Sequence, residues 1–194
     1  KNKFYLIQGN IKNSNEIIRN LVKSAEQKIE NHIIVVWVDN ESGVLARVVG
    51  LFSGRGYNID SLAVAEVDKK KNISRITIST SGTPQVLRQI KLQLGKLIPV
   101  HKVADFPRNK KTLLREMALI KVISSKTHLE KARKLCKKYK FTILDKTEKS
   151  FVFEISALKK EIDELIKKLQ PLGLASASRT GVVAMTRGAE TYRQ

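Results

Sequence analysis

The apolar pattern predicts an α+β fold made of two tandem βαββαβ units, each an antiparallel sheet with its helices on one face. Three observations carry this. Apolar stretches alternate between a strand-like period of two and a helix-like period of 3.6. Polar or glycine-containing turns separate them. The same order of six elements then occurs twice, starting at Ile33 and again at Ala118.

In the first unit, residues 33–38 are apolar with few polar breaks. This strand is expected to be central and covered, with Trp37 in the core. The run stops at Asp39, Asn40, Glu41, Ser42 and Gly43. Val44, Leu45, Val48, Val49 and Phe52 then fall on one helical face, which predicts a helix over 43–53. Gly54, Arg55 and Gly56 end it. Residues 58–67 form the second strand and 68–72 a charged hairpin turn. In the third strand, 73–80, Ile76 and Ile78 alternate with Thr77 and Ser79. Thr83 caps the next helix and Pro84 opens it. Val86, Leu87, Ile90 and Leu94 make its buried face, Gly95 ends it, and 97–104 is the fourth strand.

Residues 107–114 read as a linker, marked by Pro107 and a basic run from Arg108 to Lys111. The second unit repeats the order: a strand at 118–123, then a helix at 127–139 with Leu129, Ala132, Leu135, Cys136 and Tyr139 inward. Residues 141–145 and 151–155 form a hairpin. A helix at 157–169 turns Leu158, Ile162, Leu165, Ile166 and Leu169 inward, and 172–178 is the last full strand. The expected division is an extension over 1–31 with a helix at 15–30, a first domain over 32–106, the linker over 107–114 and a second domain over 115–194. Both domains are ferredoxin-like. A sheet with helices on one side leaves its other face or its edges for a partner.

The chain has 194 residues, 42% hydrophobic and 28% charged, with one cysteine and a formal net charge of +19. No apolar run approaches the ~20 residues of a membrane-spanning helix. A single cysteine, Cys136, excludes an internal disulfide and fits a reducing compartment, cytoplasmic or a plastid stroma. The charge suggests a polyanionic partner, yet the lysines are dispersed, with only short clusters such as Lys69 to Lys71.

Catalysis finds little support. His32, His101 and His128 follow no ligand spacing, and Cys136 lies on an apolar helix face. Gly54, Arg55 and Gly56 follow a helix and lack the context of a phosphate loop. A basic protein with tandem ferredoxin-like domains also raises RNA binding. The third strand, however, has no aromatic residue on which a base could stack, and Phe151 and Phe153 lack the glycine and basic residues of that motif.

The turn at 40–43 is the richest in chemistry. The first N–H groups of a helix have no partner within it and carry partial positive charge. Asn40 or Ser42 could cap them. Gly43 lets another molecule approach the backbone, and a small carboxylate suits such a place.

From Asn40 to Leu62 the sequence, NESGVLARVVGLFSGRGYNIDSL, closely resembles the regulatory small subunit of acetohydroxyacid synthase, also called acetolactate synthase. The resemblance continues at Ser74 to Ile78, at Arg115 and Glu116, and at Arg179 to Val183 and Thr186 to Gly188, covering residue 33 onward. It implies that the first unit is an effector-binding ACT domain that pairs with a second copy, and the second unit an ACT-like domain. It implies that Asn40, Gly43 and Val44 line one side of an amino-acid site. Asn58 and Ile59 of the neighbouring subunit would line the other, and Arg75 is either a partner contact or a surface arginine of its strand. The implied function is non-catalytic: to bind the large catalytic subunit, activate it and confer feedback inhibition by valine or a related branched-chain amino acid. Thiamine diphosphate, FAD and magnesium belong on that large subunit, and this chain needs no cofactor, nucleic acid or membrane. The rival readings are a basic RNA-binding protein and an amino-acid sensor for another enzyme.

Overall fold

The computed structural model describes residues 29–106 and 112–189. The first unit runs β1 (Glu30–Asp39), α1 (Val44–Ser53), β2 (Ser61–Asp68), β3 (Ile73–Gly82), α2 (Pro84–Leu94) and β4 (Val100–Phe106). The second runs β5 (Thr112–Ile123), α3 (Lys126–Cys136), β6 (Phe141–Lys146), β7 (Ser150–Ala157), α4 (Lys159–Leu169), a short 3-10 turn (Gln170–Leu172), β8 (Leu174–Arg179) and β9 (Val183–Thr186). The first sheet has the strand order β2-β3-β1-β4 and the second β6-β7-β5-β8, so both are antiparallel with the first strand of each unit central.

Period-two alternation divides β1 between two cores. Ile34, Val36 and Val38 face the helices, where they meet Val48, Phe52, Leu87, Ile90 and Leu94. Ile33, Val35 and Trp37 face the other way, and Trp37 is buried there. Both faces being apolar, this strand needs two covers, and the second comes from the other unit. The first residues of β5 pair with β9, from Thr112 opposite Thr186 to Arg115 opposite Val183. This two-stranded arm lays Val182, Ala184 and Leu114 against Ile33, Val35 and Trp37. The centre of the first sheet's helix-free face is therefore covered by the chain itself, and not left to a partner as expected. Sequence pattern missed the arm because β9 is only four residues long and β5 begins inside the expected linker.

The second core is simpler. Ala118, Ile120 and Val122 of β5, with Phe151, Phe153 and Ile155 of β7, pack against Leu129, Ala132, Cys136, Ile162, Leu165 and Leu169. Phe151 and Phe153 stack at 5.4 Å, which confirms them as core. On the opposite face Leu119 and Ile123 stay exposed.

Several local expectations shift. In α1 the buried face is Val44, Val48, Leu51 and Phe52, with Leu45 turned to solvent. Leu158 is the exposed residue before α4, where its N–H donates to Glu161 Oε2 at 2.9 Å, and not an inward residue. Glu30 opens β1 and does not close a helix; the rest of the proposed 15–30 helix, apart from Ile29, lies outside the described residues. Thr83 does cap α2, accepting from the Val86 N–H at 3.4 Å.

Replacing a fully buried side chain removes its transfer energy and leaves a cavity. Ile78→Ala should cost about 2–5 kcal/mol, whereas Lys160→Ala, on an exposed helix face, should stay within about 0.5 kcal/mol. Urea unfolding midpoints of the two variants check this.

Candidate functional site

Two polar corners flank the first sheet, one at each end of β1. The first follows Asp39. The Asn40 N–H donates to Asn72 O at 2.7 Å, which pins the turn to the β2–β3 hairpin. The Asn40 side chain is held between strands: Ser74 Oγ donates to its Oδ1 at 3.0 Å, and its Nδ2 donates to Glu66 Oε1 at 3.3 Å. One N–H and one lone pair of that amide remain for another group. Gly43 then takes φ +82, and no atom lies within 4 Å of where a Cβ would stand. Glycine is required here by backbone conformation, not by crowding. Gly43 itself is the residue before α1 and no side chain caps the helix, so neither Asn40 nor Ser42 fills that role. The Val44 N–H reaches Glu41 O only at 3.3 Å. Gly43 is exposed, while Val44 is buried with its N–H in only a long bond, so the solvent-facing main chain of this corner is that of Gly43.

The second corner lies before β2. Asn58 is exposed and its Nδ2 donates to Asp60 Oδ1 at 2.8 Å. Its carbonyl accepts from Thr80 Oγ1 at 2.6 Å. Ile59 packs against the helix-side core. Asp60 organises this corner: its Oδ2 also accepts from Asn31 Nδ2 at 3.0 Å and Ser81 Oγ at 2.7 Å. Sequence reasoning passed over Asp60; its signal was two short polar residues either side of one apolar residue at a strand entrance.

Within one chain these corners do not meet. Asp39 pairs with Ile73 at one end, and Ile33 pairs with Ser79, which pairs with Ser61, at the other. Six strand residues separate them, roughly 20 Å at the usual rise. Asn40, Gly43 and Val44 thus gather at one corner, and Asn58 and Ile59 at the other.

Arg75 is engaged inside the chain. Its guanidinium lies 5.4 Å from the Trp37 ring and 5.8 Å from that of Phe106, and Nη2 donates to the carbonyl of Ala184 in the β9 arm. Burial lowers its pKa. Arg75 thus fastens the arm to the sheet.

A second fastening escaped sequence reasoning. Arg179 donates from Nε and Nη2 to both oxygens of buried Glu116 at 2.8 Å, and from Nη1 to Asp163 Oδ1 at 2.6 Å. The bond to Glu116 raises the Arg179 pKa against the effect of burial, so the guanidinium stays charged. The next residues reach the second corner. The Val182 N–H donates to Ser61 Oγ at 3.4 Å, and Gly181, at φ +79, would place a Cβ 3.2 Å from that of Ser61. The quoted sequence stretches hold Glu116, Arg179 and Gly181, but pattern alone assigned them no contact.

Catalytic chemistry has no seat among the described residues. No group of three histidine, cysteine or acidic side chains gathers to hold a metal. His32 and His101 each sit beside a carboxylate, Asp105 at 2.9 Å and Asp39 at 2.6 Å. Cys136 is fully buried, and burial pushes its thiol up to about 12. No helix among these residues is long and apolar enough to cross a membrane.

This βαββαβ topology, with a polar corner at each end of the first strand, is that of a regulatory domain of the ACT type. Comparison with known proteins agrees. Residues 34–102 match the AHAS small subunit-like ACT domain, and residues 115–188 match the small subunit of acetolactate synthase. The chain is 36% identical over 161 residues to the acetolactate synthase small subunit of Aquifex aeolicus, covering 82% of this chain and 83% of that one. It is 35% identical over 162 residues to the isozyme 3 small subunit of Salmonella typhimurium, covering 83% and 98%. The crystal structure of the small subunit from Thermotoga maritima superposes with a TM-score of 0.75 at 31% identity, covering 83% of this chain and 99% of that one. The chain belongs to the acetolactate synthase small-subunit family, the non-catalytic regulators of branched-chain amino-acid biosynthesis.

The buried thiol should resist modification. At pH 8 the native chain should react with a disulfide reagent at under about 1% of the rate of the urea-unfolded chain, since a protonated, enclosed thiol is inert. The sign for stability follows: burial holds the proton on Cys136, so its contribution is constant below about 9 and falls as pH rises from 9 towards 12. Comparing unfolding of wild type and Cys136→Ala across that window isolates this contribution.

Proposed function

We propose that this chain binds the large catalytic subunit of acetolactate synthase, raises its activity, and makes it sensitive to valine or a related branched-chain amino acid. Thiamine diphosphate, FAD and magnesium then reside on the large subunit. The observation that carries the effector reading is the separation of the two half-sites along β1. One chain offers main-chain donors at Gly43 and Val44 with the amide of Asn40 at one end, and Asn58 and Ile59 at the other. Strand β2 is the edge of this sheet. Two-fold antiparallel pairing of β2 with its copy reverses one sheet against the other, which sets the first corner of one protomer beside the second corner of its partner. The unpaired edge of β2, with Val64 and Val67 exposed, is suited to such a contact.

In that shared site each group has a physical role. The effector carboxylate takes the N–H groups of Gly43 and Val44. The long bond from Val44 to Glu41 costs little to replace. Asn40 and Asn58 carry both donors and acceptors for the ligand's two charged ends. Ile59 offers apolar surface for a branched side chain. Burying a valine side chain contributes ~1.5–3 kcal/mol and a charge-assisted hydrogen bond a similar ~1.5–3 kcal/mol. After ordering costs this corresponds to roughly 1 μM to 1 mM.

A site between copies couples occupancy to their arrangement, and a ligand that favours one arrangement shifts the population toward it. The route onward starts at Ser61, two residues after Ile59, where Gly181 and Val182 touch. Arg179 then ties that contact to Glu116 and, through Asp163, to α4.

Gly43→Asp places a bulky anion at φ +82 where the carboxylate should sit. The reconstituted enzyme should keep activation by this variant while the valine concentration for half-inhibition rises more than about tenfold, a loss of ~1.4 kcal/mol. Steady-state rates across a valine titration test it, and unchanged inhibition would refute the site. Val64→Lys should set like charges across the two-fold axis and weaken the dimer about twofold to fivefold, on the scale of a destabilising cross-strand pair. Sedimentation velocity over a concentration series, with and without valine, measures this.

A further inference from the structure

The corner after the first strand exists twice. In the first unit the Asn40 N–H bonds to Asn72 O at 2.7 Å, and the Asp39 N–H to Pro99 O at 2.9 Å. In the second unit the Ser124 N–H bonds to Lys149 O at 2.9 Å, and the Ile123 N–H to Gly173 O at 2.9 Å. The backbone frame is the same, but what fills it differs. In the first unit the Asn40 amide bridges Ser74 and Glu66 and draws strands together. In the second unit no side chain among the described residues bridges the frame in this way, and a cavity of about 870 Å³ opens between α3 and the β6–β7 hairpin.

The lining has its own chemistry. Four cations, Lys126, Arg133, Lys146 and Lys149, and two carboxylates, Glu130 and Glu148, surround the space. None of the six belongs to an ion pair among the described residues. Arg133 is prepositioned, its guanidinium 6.0 Å from the ring of buried Phe151. The hairpin is held in shape by Thr147 Oγ1, which accepts from the N–H groups of Lys149 at 3.3 Å and Ser150 at 3.0 Å. The position equivalent to Gly43 offers no left-handed main chain, since Ser125 is extended at φ −63. Recognition here rests on side-chain charge. We infer that this corner binds a small dianion of the phosphate-monoester class. The excess of two positive charges matches the ~1.5–2 negative charges of such a group near neutral pH. Its tetrahedral oxygens suit donors supplied by a helix on one side, Lys126 and Arg133, and a hairpin on the other, Lys146 and Lys149. The volume accommodates a metabolite-sized body behind the phosphate. This reading is independent of the effector site in the first unit.

Binding of inorganic phosphate to the whole chain, followed by calorimetry and by backbone amide shifts at constant ionic strength, tests it. Saturable binding is expected, with the largest shifts at Ser124, Lys149 and Ser150. Losing two charge-assisted contacts in Arg133→Gln/Lys149→Gln should weaken it more than about tenfold. The charge-matched control Lys160→Gln/Lys168→Gln, on α4, should change it less than about twofold. Because Arg133 also packs on Phe151, Lys146→Gln/Lys149→Gln serves as a second site variant that leaves that contact intact, with the same expected direction. Phenyl phosphate should bind at least as well as inorganic phosphate. Equal weakening by site and control variants would mean only the general field of a cationic chain and would overturn the proposal. Shifts scattered over the surface, or no saturation, would do the same.

Discussion

Strand β1 is apolar on both faces, and most of the architecture answers that constraint. One face takes the helices of its own unit. The other must be covered as well, because Ile33, Val35 and Trp37 would otherwise present a continuous apolar strip to water. The cover is the β5–β9 arm, which belongs by sequence to the second unit. The two units are therefore joined by a hydrophobic core and not only by a tether. Arg75 marks the joint: it lies over Trp37 and Phe106 and donates to the arm's backbone. A planar guanidinium can stack on an aromatic ring and donate a hydrogen bond at once, which a lysine cannot do equally well.

On the proposed function, this joint bears on regulation through what it touches. Gly181 and Val182 meet Ser61, at the entrance of β2, immediately after the polar corner of Asn58 and Ile59. Arg179 links the same segment to buried Glu116 and to Asp163 on α4. On the proposed reading an amino acid held between two copies acts at one end of this chain of contacts, and the second unit lies at the other. Packed, hydrogen-bonded contacts of this kind transmit a change of arrangement because they have few intermediate states.

The charge distribution separates into two roles. Most lysines are spread over exposed helix and hairpin surfaces, in keeping with their dispersed sequence positions. The few cations with defined partners do structural work: Arg179 between two carboxylates, Lys91 on Asp105 at 2.7 Å, and Arg75 in the joint. Around the second unit's corner Lys126, Lys146 and Lys149 are exposed, while Arg133 lies over the ring of Phe151.

Much was legible from the chain alone. Strong periodicity marks every helix, and the apolar runs at β1 and at the later part of β5 mark the central strands, because alternation and 3.6-residue spacing are local properties. Thr83 with Pro84, and Gly43 before Val44, announce their turns for the same reason. The resemblance over residues 40–62 pointed to the family and to the half-site residues. Other features were not legible because they depend on residues far apart in the chain. The four-residue β9 has too short a pattern to be seen, and its pairing with β5 is a long-range choice. The side chain of Asn40 looks like a cap in sequence but is drawn to Ser74 and Glu66 by the packing of β2 and β3. Glu116, Arg179 and Asp163 meet only when β5, β8 and α4 are assembled. The two repeated units, their central strands and the glycine at the head of α1 could be read in the chain because they follow from local backbone preference and apolar spacing. How the units are clasped, and that the two polar corners lie at opposite ends of one strand, emerged on folding, because those are distances between segments that no local pattern records.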